Sequence, residues 1–166
     1  MQLFAIPTGN FKLDGGAMFG VVPKSLWSKH YPSDENNMIN MTMRCLLVVD
    51  GDRRILINNG IGDKQSEKFF SHYHLNGDDS LVKSLALAGF APEDITDMFL
   101  THLHFDHAGG SVKYTADRSG LETVFPNATY WISAAQWEWA MHANRRESAS
   151  SLKENIQPIE ESGRMK

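Results

Sequence analysis

The segment Thr101-His102-Leu103-His104-Phe105-Asp106-His107-Ala108-Gly109-Gly110 constrains this chain more than any other. Four side chains able to ligate a metal fall within six residues, directly after the apolar run 95–100 and directly before a glycine pair. In extended backbone, side chains i and i+2 point the same way, roughly 6.5 Å apart at ~3.3 Å rise per residue. His102 and His104 can therefore converge on one ion, because Zn–N bonds are only about 2.0–2.1 Å and the imidazole reach closes the gap. Asp106 and His107 are adjacent, so the backbone has to turn there to aim both at one point. Such a turn would set a second ion at roughly the 3.5–4 Å spacing of paired-metal hydrolases. The competing explanation is a surface loop that happens to be rich in His. The chain holds seven His in 166 residues, and three of them packed beside an Asp favour the metal motif.

Composition narrows the rest. A length of 166 residues suits one domain over residues 1–166, burying about 68–70% of its unfolded surface. The net charge is −4, with Lys and Arg scattered, which argues against a nucleic-acid footprint or an anionic-membrane patch. No apolar stretch approaches the ~18 residues of a membrane span. The opening Met1-Gln2-Leu3-Phe4-Ala5-Ile6-Pro7 has no basic region, long apolar core or small-residue cleavage site, so a cytoplasmic protein is expected. Cys45 is the only cysteine, which excludes an intrachain disulfide framework and a Cys-based zinc site.

The opening third reads as β. The β-branched run Met43–Val49, a turn at Asp50-Gly51-Asp52 and the return Arg54–Ile57 form a hairpin, with Asp-Gly supplying the positive φ angles. Residues Gly15–Val22 read as a further strand loosened by glycines. From Asp78 the period becomes helical: Leu81, Leu85 and Ala88 share a face, Asp79 caps the start and Gly89 ends it. Ile95–Leu100 is a strand that delivers the metal motif, and Thr129–Ile132 is the next strand. Ser133-Ala134-Ala135-Gln136 carries a capping-box pattern for a helix through about His142, with Trp137, Ala140 and Met141 inward and Trp139 outward. A short helix is expected over Glu147–Asn155, before Pro158. The pattern is mixed α/β, an α+β arrangement with sheet packed against outer helices.

With these elements in place, Leu100–Gly110 resembles the H-x-H-x-D-H signature of the metallo-β-lactamase-fold hydrolases. Phe19–Lys24 with Leu26-Trp27, Leu56–Lys64, and Phe125–Tyr130 with the following Trp-containing helix are similar to the lactonase-like branch. The resemblance implies an αββα sandwich with two zinc ions at one edge, hydrolysing an ester, lactone, thioester or amide of a small-molecule substrate. It places His102 and His104 on the first ion, and Asp106 and His107 on the second. It further implies a metal-bound hydroxide as nucleophile, aligned by Asp106 as a catalytic residue, with the ions stabilising the oxyanion.

Two departures from the pattern stand out. Asn58 occupies a place where the family carries an Asp supporting the metal loop, and losing that charge is expected to weaken metal affinity about 10–100-fold. The larger departure is an absence, since a third His, a bridging Asp and a last His are implied farther along. After His107 only His142 and Asp117 remain; His142 reads as an exposed helix-end residue and Asp117 as part of a solvated loop. One half of the sandwich is therefore expected, truncated before the second; such a half exposes an apolar sheet face, which implies either self-association or a C-terminal half missing from the chain. His72 and His74 read as a surface loop, His30 as structural or exposed, and Met38, Met41 and Met43 as apolar packing. The readings that follow are a zinc-dependent hydrolase, lactonase-like before thioesterase- or glyoxalase-like, and a catalytically inactive binding or assembly module.

Overall fold

The computed structural model describes all residues from Met1 to Lys166. Two long strands, β1 (Gln2–Asp14) and β2 (Met38–Asp50), pair antiparallel along nearly their whole length. A bulge between Pro7 and Gly9 interrupts the register, and Gly9 takes φ +119° there. β3 (Arg53–Ile57) returns against β2. Of the turn residues Gly51 alone takes a positive φ, the pattern of a type II′ turn and not of the Asp-Gly pair acting together. β4 (Asp97–Leu100) and β7 (Thr129–Ile132) then add in parallel, giving the sheet order β1-β2-β3-β4-β7. A small hairpin of β5 (Val112–Tyr114) and β6 (Leu121–Thr123) stands apart from this sheet.

The two faces of the sheet differ. Phe4, Leu47, Leu56, Met98 and Tyr130 align by register on one face. Helices α4 (Leu81–Leu87), α6 (Ala134–Met141) and α7 (Lys153–Glu161) contribute Leu85, Ala140, Ile156 and Ile159 to the core that covers them. Ala5, Leu46, Ile57, Phe99 and Trp131 form a row on the opposite face. No helix covers that row, and Leu46 is 36%, Phe99 46% and Trp131 38% exposed. The architecture is a mixed sheet with helices on one side, one half of a sandwich.

Several expected elements form as read and others do not. Ser80, not Asp79, caps α4 through a bond from Lys83 N–H at 3.4 Å, while Gly89 takes φ +87° just past the helix end. Gly15 does not continue a strand. Asp14 accepts from Ala17 N–H at 2.9 Å and starts α1 (Gly15–Phe19); a Cβ on Gly15 would collide with the Trp27 indole, from α2 (Lys24–Trp27). α3 (Glu67–Ser71) follows the loop after β3. Ser133 begins α6 without a side-chain capping bond. The helix expected over Glu147–Asn155 is displaced, with a single 3₁₀ turn at Glu147–Ala149 followed by α7, which runs through Pro158. Proline removes one bond to the preceding turn, and burial of Ile156 and Ile159 at 0% exposure holds the helix across that gap.

Candidate metal centre

The parallel strands β3, β4 and β7 all end at the same edge of the sheet, so the loops that leave them meet there. The carboxyl ends of parallel strands are where open α/β sheets place their ligands. After β3 the chain turns at Asn58, φ +60°, into Asn59-Gly60-Ile61-Gly62. After β4 it runs through Thr101–His104 into α5 (Phe105–Ala108), a single turn that reverses the backbone between Asp106 and His107. The expected turn is therefore helical.

The two loops pack backbone on backbone, which accounts for the glycine pair. Asn59 N–H donates to His107 C=O at 2.9 Å, and Gly110 N–H to Gly60 C=O at 3.0 Å. A Cβ on Gly109 would overlap the Ile61 backbone, and one on Gly110 the Asn59 carbonyl. Asn59 is wholly buried, its amide nitrogen 2.7 Å from Ser111 Oγ. Lys64 lies buried with Nζ donating to Gly109 C=O at 2.7 Å.

All four sequence candidates come together on this scaffold. The rings of His102 and His104 have centroids 4.8 Å apart, and those of His102 and His107 4.0 Å. His107 Nε2 stands 3.3 Å from Asp106 Oδ2. Burial, then the neighbouring His107 and His104, push His102 down to about 4, so at neutral pH its ring is uncharged and one nitrogen carries a lone pair. Burial alone would raise the Asp106 carboxyl; its hydrogen bond with His107 and the charges around it outweigh that and hold it below the usual range. The donors thus suit zinc in kind, being imidazole nitrogens and a carboxylate. They do not yet suit it in arrangement: no three His, Cys, Asp or Glu side chains converge on one ion position.

Other candidates fall outside the cluster. His142 is exposed and sits 3.3 Å from Glu138 on its own helix. Asp117 closes the β5–β6 turn, where Thr115 Oγ1 at 2.6 Å and Ser119 bring its pKa down to about 2. His72 and His74 are exposed at the end of α3. Glu147 was not legible in sequence. It reaches back from its 3₁₀ turn to His104 Nε2 at 3.3 Å, across 43 positions of chain. A lone Glu in polar sequence gives no local signal of that approach.

Lys64 provides a pH test of the loop packing. Desolvation lowers it from 10.5 to about 8, against the opposing pull of Glu154 and Asp63. The unfolded chain then holds the proton up to 10.5 and the folded chain only to about 8, so stability rises as pH goes from 8 to 10.5. At 1.36 kcal/mol per unit the gain is about 3 kcal/mol. Urea titrations across that interval check it, and Lys64→Met should remove this component of the rise.

Comparison with known proteins fits this geometry. The description of the metallo-beta-lactamase superfamily matches residues 44–147, which span β3, β4 and the His loop. The chain belongs to the metallo-beta-lactamase superfamily. Among curated relatives of this superfamily member, an N-acyl homoserine lactonase of Bacillus cereus is 26% identical over 85% of the chain and 52% of the relative. Another N-acyl homoserine lactonase, from a Bacillus species, is 25% identical over 95% and 56%. A probable metal-dependent hydrolase from Staphylococcus aureus superposes with TM-score 0.88 at 32% identity, over 99% of this chain and 57% of that one. AidC, a dizinc quorum-quenching lactonase, shares the fold at TM-score 0.70 and 24% identity. The superfamily member described here spans about half the length of the curated relatives it matches.

Proposed function

We propose that this chain carries part of a zinc-dependent hydrolase site acting on a lactone or related ester, with His102 and His104 as ligands of a first ion and Asp106 and His107 of a second. The observation that supports it most is the gathering of these four side chains at the carboxyl edge of β4, with His102 unprotonated at neutral pH. The lactonase names of the relatives favour a lactone over a thioester. Zinc, when bound, supplies a Lewis acid and brings the pKa of coordinated water to about 7. Asp106, ionised and partly buried, would in this reading accept a hydrogen bond from the attacking water and fix its direction. Phe105, Phe69 and Tyr73 pack as an aromatic wall beside it, with Tyr73 and Phe105 centroids 4.6 Å apart.

A second reading, an assembly module without turnover, draws on the absence of a three-ligand set and on the uncovered sheet face. For that face we propose a second copy of this chain as occupant, pairing the same apolar row on both partners. Zinc content of the purified chain, measured with turnover of a chromogenic lactone, separates the readings. Bound zinc with chelator-sensitive turnover supports the hydrolase; metal-free protein without turnover supports the module. His104→Ala is expected to abolish zinc uptake at the first position, and unchanged zinc content would refute the ligand assignment.

A further inference from the structure

Asn58 touches the cluster from the turn just after β3, and its contacts have a direction. Its Oδ1 accepts from the Thr101 backbone N–H at 3.1 Å and lies 3.0 Å from Thr101 Oγ1. A backbone N–H can only donate, so this bond sets which end of the amide carries oxygen. The other end, Nδ2, then faces His107 Nδ1 at 3.1 Å. An amide NH2 likewise only donates, which requires a lone pair on His107 Nδ1. In the neutral ring the proton must then sit on Nε2, and Nε2 faces Asp106 Oδ2 at 3.3 Å, an acceptor. Thr101, Asn58 and His107 thus form a chain of hydrogen bonds with one polarity, whose far end, the His107 Nε2–H, faces the Asp106 carboxylate.

We propose that Asn58 is a positioning residue that fixes His107 as the Nε2–H tautomer, tying His107 to Asp106 and making the second metal position weaker than the first. The inference rests on the zinc-dependent reading above. For an ion to take Nε2, the proton must move to Nδ1, where it meets the Asn58 NH2, or the amide must turn over and set Nδ2 against the Thr101 N–H. Either route loses a hydrogen bond that the metal-free arrangement keeps. His104 makes no contact with Asn58, and His102 meets it only through Thr101 Oγ1, 3.1 Å from His102 Nδ1; that hydroxyl donates to an amide or a carboxylate oxygen at position 58 alike, so the first position is unchanged in Asn58→Asp. A carboxylate at position 58 would reverse the polarity, since it accepts from both Thr101 N–H and His107 Nδ1–H and leaves Nε2 bare.

Nitrogen-15 NMR of the His107 ring in the metal-free 166-residue chain reads the tautomer, and chelator competition with Zn²⁺ reads the two equivalents separately. The wild-type chain should show Nε2–H, and Asn58→Asp should show Nδ1–H with the second equivalent bound about 10–100-fold tighter. Asn58→Gly tolerates the positive φ and removes the donor; it should lose the fixed tautomer and also tighten the second equivalent. An Nδ1–H tautomer in the wild-type chain overturns the proposal. So does a second equivalent unchanged in both variants. No zinc uptake by any of the three proteins, beside the expected switch of tautomer, would sink the zinc-dependent reading while upholding the hold of Asn58 on His107.

Discussion

Tyr130→Ala is expected to lower the unfolding free energy by about 3–5 kcal/mol, the range for emptying a large buried aromatic site. Tyr130 is 0% exposed and lies opposite Met98 in the register of β4 and β7. Its hydroxyl is 3.3 Å from the Phe125 N–H, which donates to it, and 3.4 Å from the Ser111 carbonyl, to which it donates. The ring therefore fills the core beneath the sheet while its tip braces the backbone just after Gly109 and Gly110. Burial pushes the phenol up, so it stays a donor at neutral pH. Tyr130→Phe keeps the volume and removes the brace, and should cost about 1–3 kcal/mol because the buried Phe125 N–H loses its partner, while the Ser111 carbonyl keeps the Val124 N–H at 2.9 Å. Urea unfolding followed by tryptophan fluorescence measures both. A loss below about 1 kcal/mol for Tyr130→Ala would mean that the core closes over the space, contrary to close packing on all sides.

The second large effect concerns association. Leu46→Lys combined with Phe99→Lys should convert the chain to a single species of 18.7 kDa in sedimentation velocity, whereas the wild-type chain should show a heavier species that grows with concentration. The two residues flank Ile57 in one cross-strand row. Both are partly exposed and make no side-chain hydrogen bond, so the folded monomer should change by about 0.5 kcal/mol or less. Trp131 is left in place because its indole N–H donates to Asp97 at 2.8 Å, a carboxylate also held by Arg53 at 2.8 Å. A wild-type chain that sediments as one light species at every concentration would refute pairing through this face.

The contrast between what the sequence revealed and what it hid follows the range of the forces involved. β7 and the hairpin of β2 with β3 were legible because alternation and a glycine turn are local signals. The helix at Gly15 was not, since it depends on Trp27 lying over a glycine, a tertiary contact. α7 defied the reading of Pro158 as a stop because Ile156 and Ile159 gain more from burial than one missing bond costs. In the site, the four clustered side chains were evident from spacing alone. The polarity at Asn58 was not, because it arises where Ile57 and Phe99 come side by side in the parallel pair and bring Thr101 N–H against the amide. Glu147 reaches His104 only through a fold-wide return of the chain.

The final residues lie along the outer margin of β7. Tyr130 N–H donates to Arg164 C=O at 2.9 Å, Ile132 N–H to Lys166 C=O at 2.9 Å, and Lys166 N–H returns to Tyr130 C=O at 2.8 Å, in parallel with β7. The backbone at Lys166 therefore travels in the same sense as β4 at Leu100. For protein engineering this makes Lys166 a graft point with a known heading. A short peptide fused there enters at the height of Thr101 and His102, two strand widths away, so a library of His-bearing tails on Lys166 tests whether a donor added at that height raises zinc uptake.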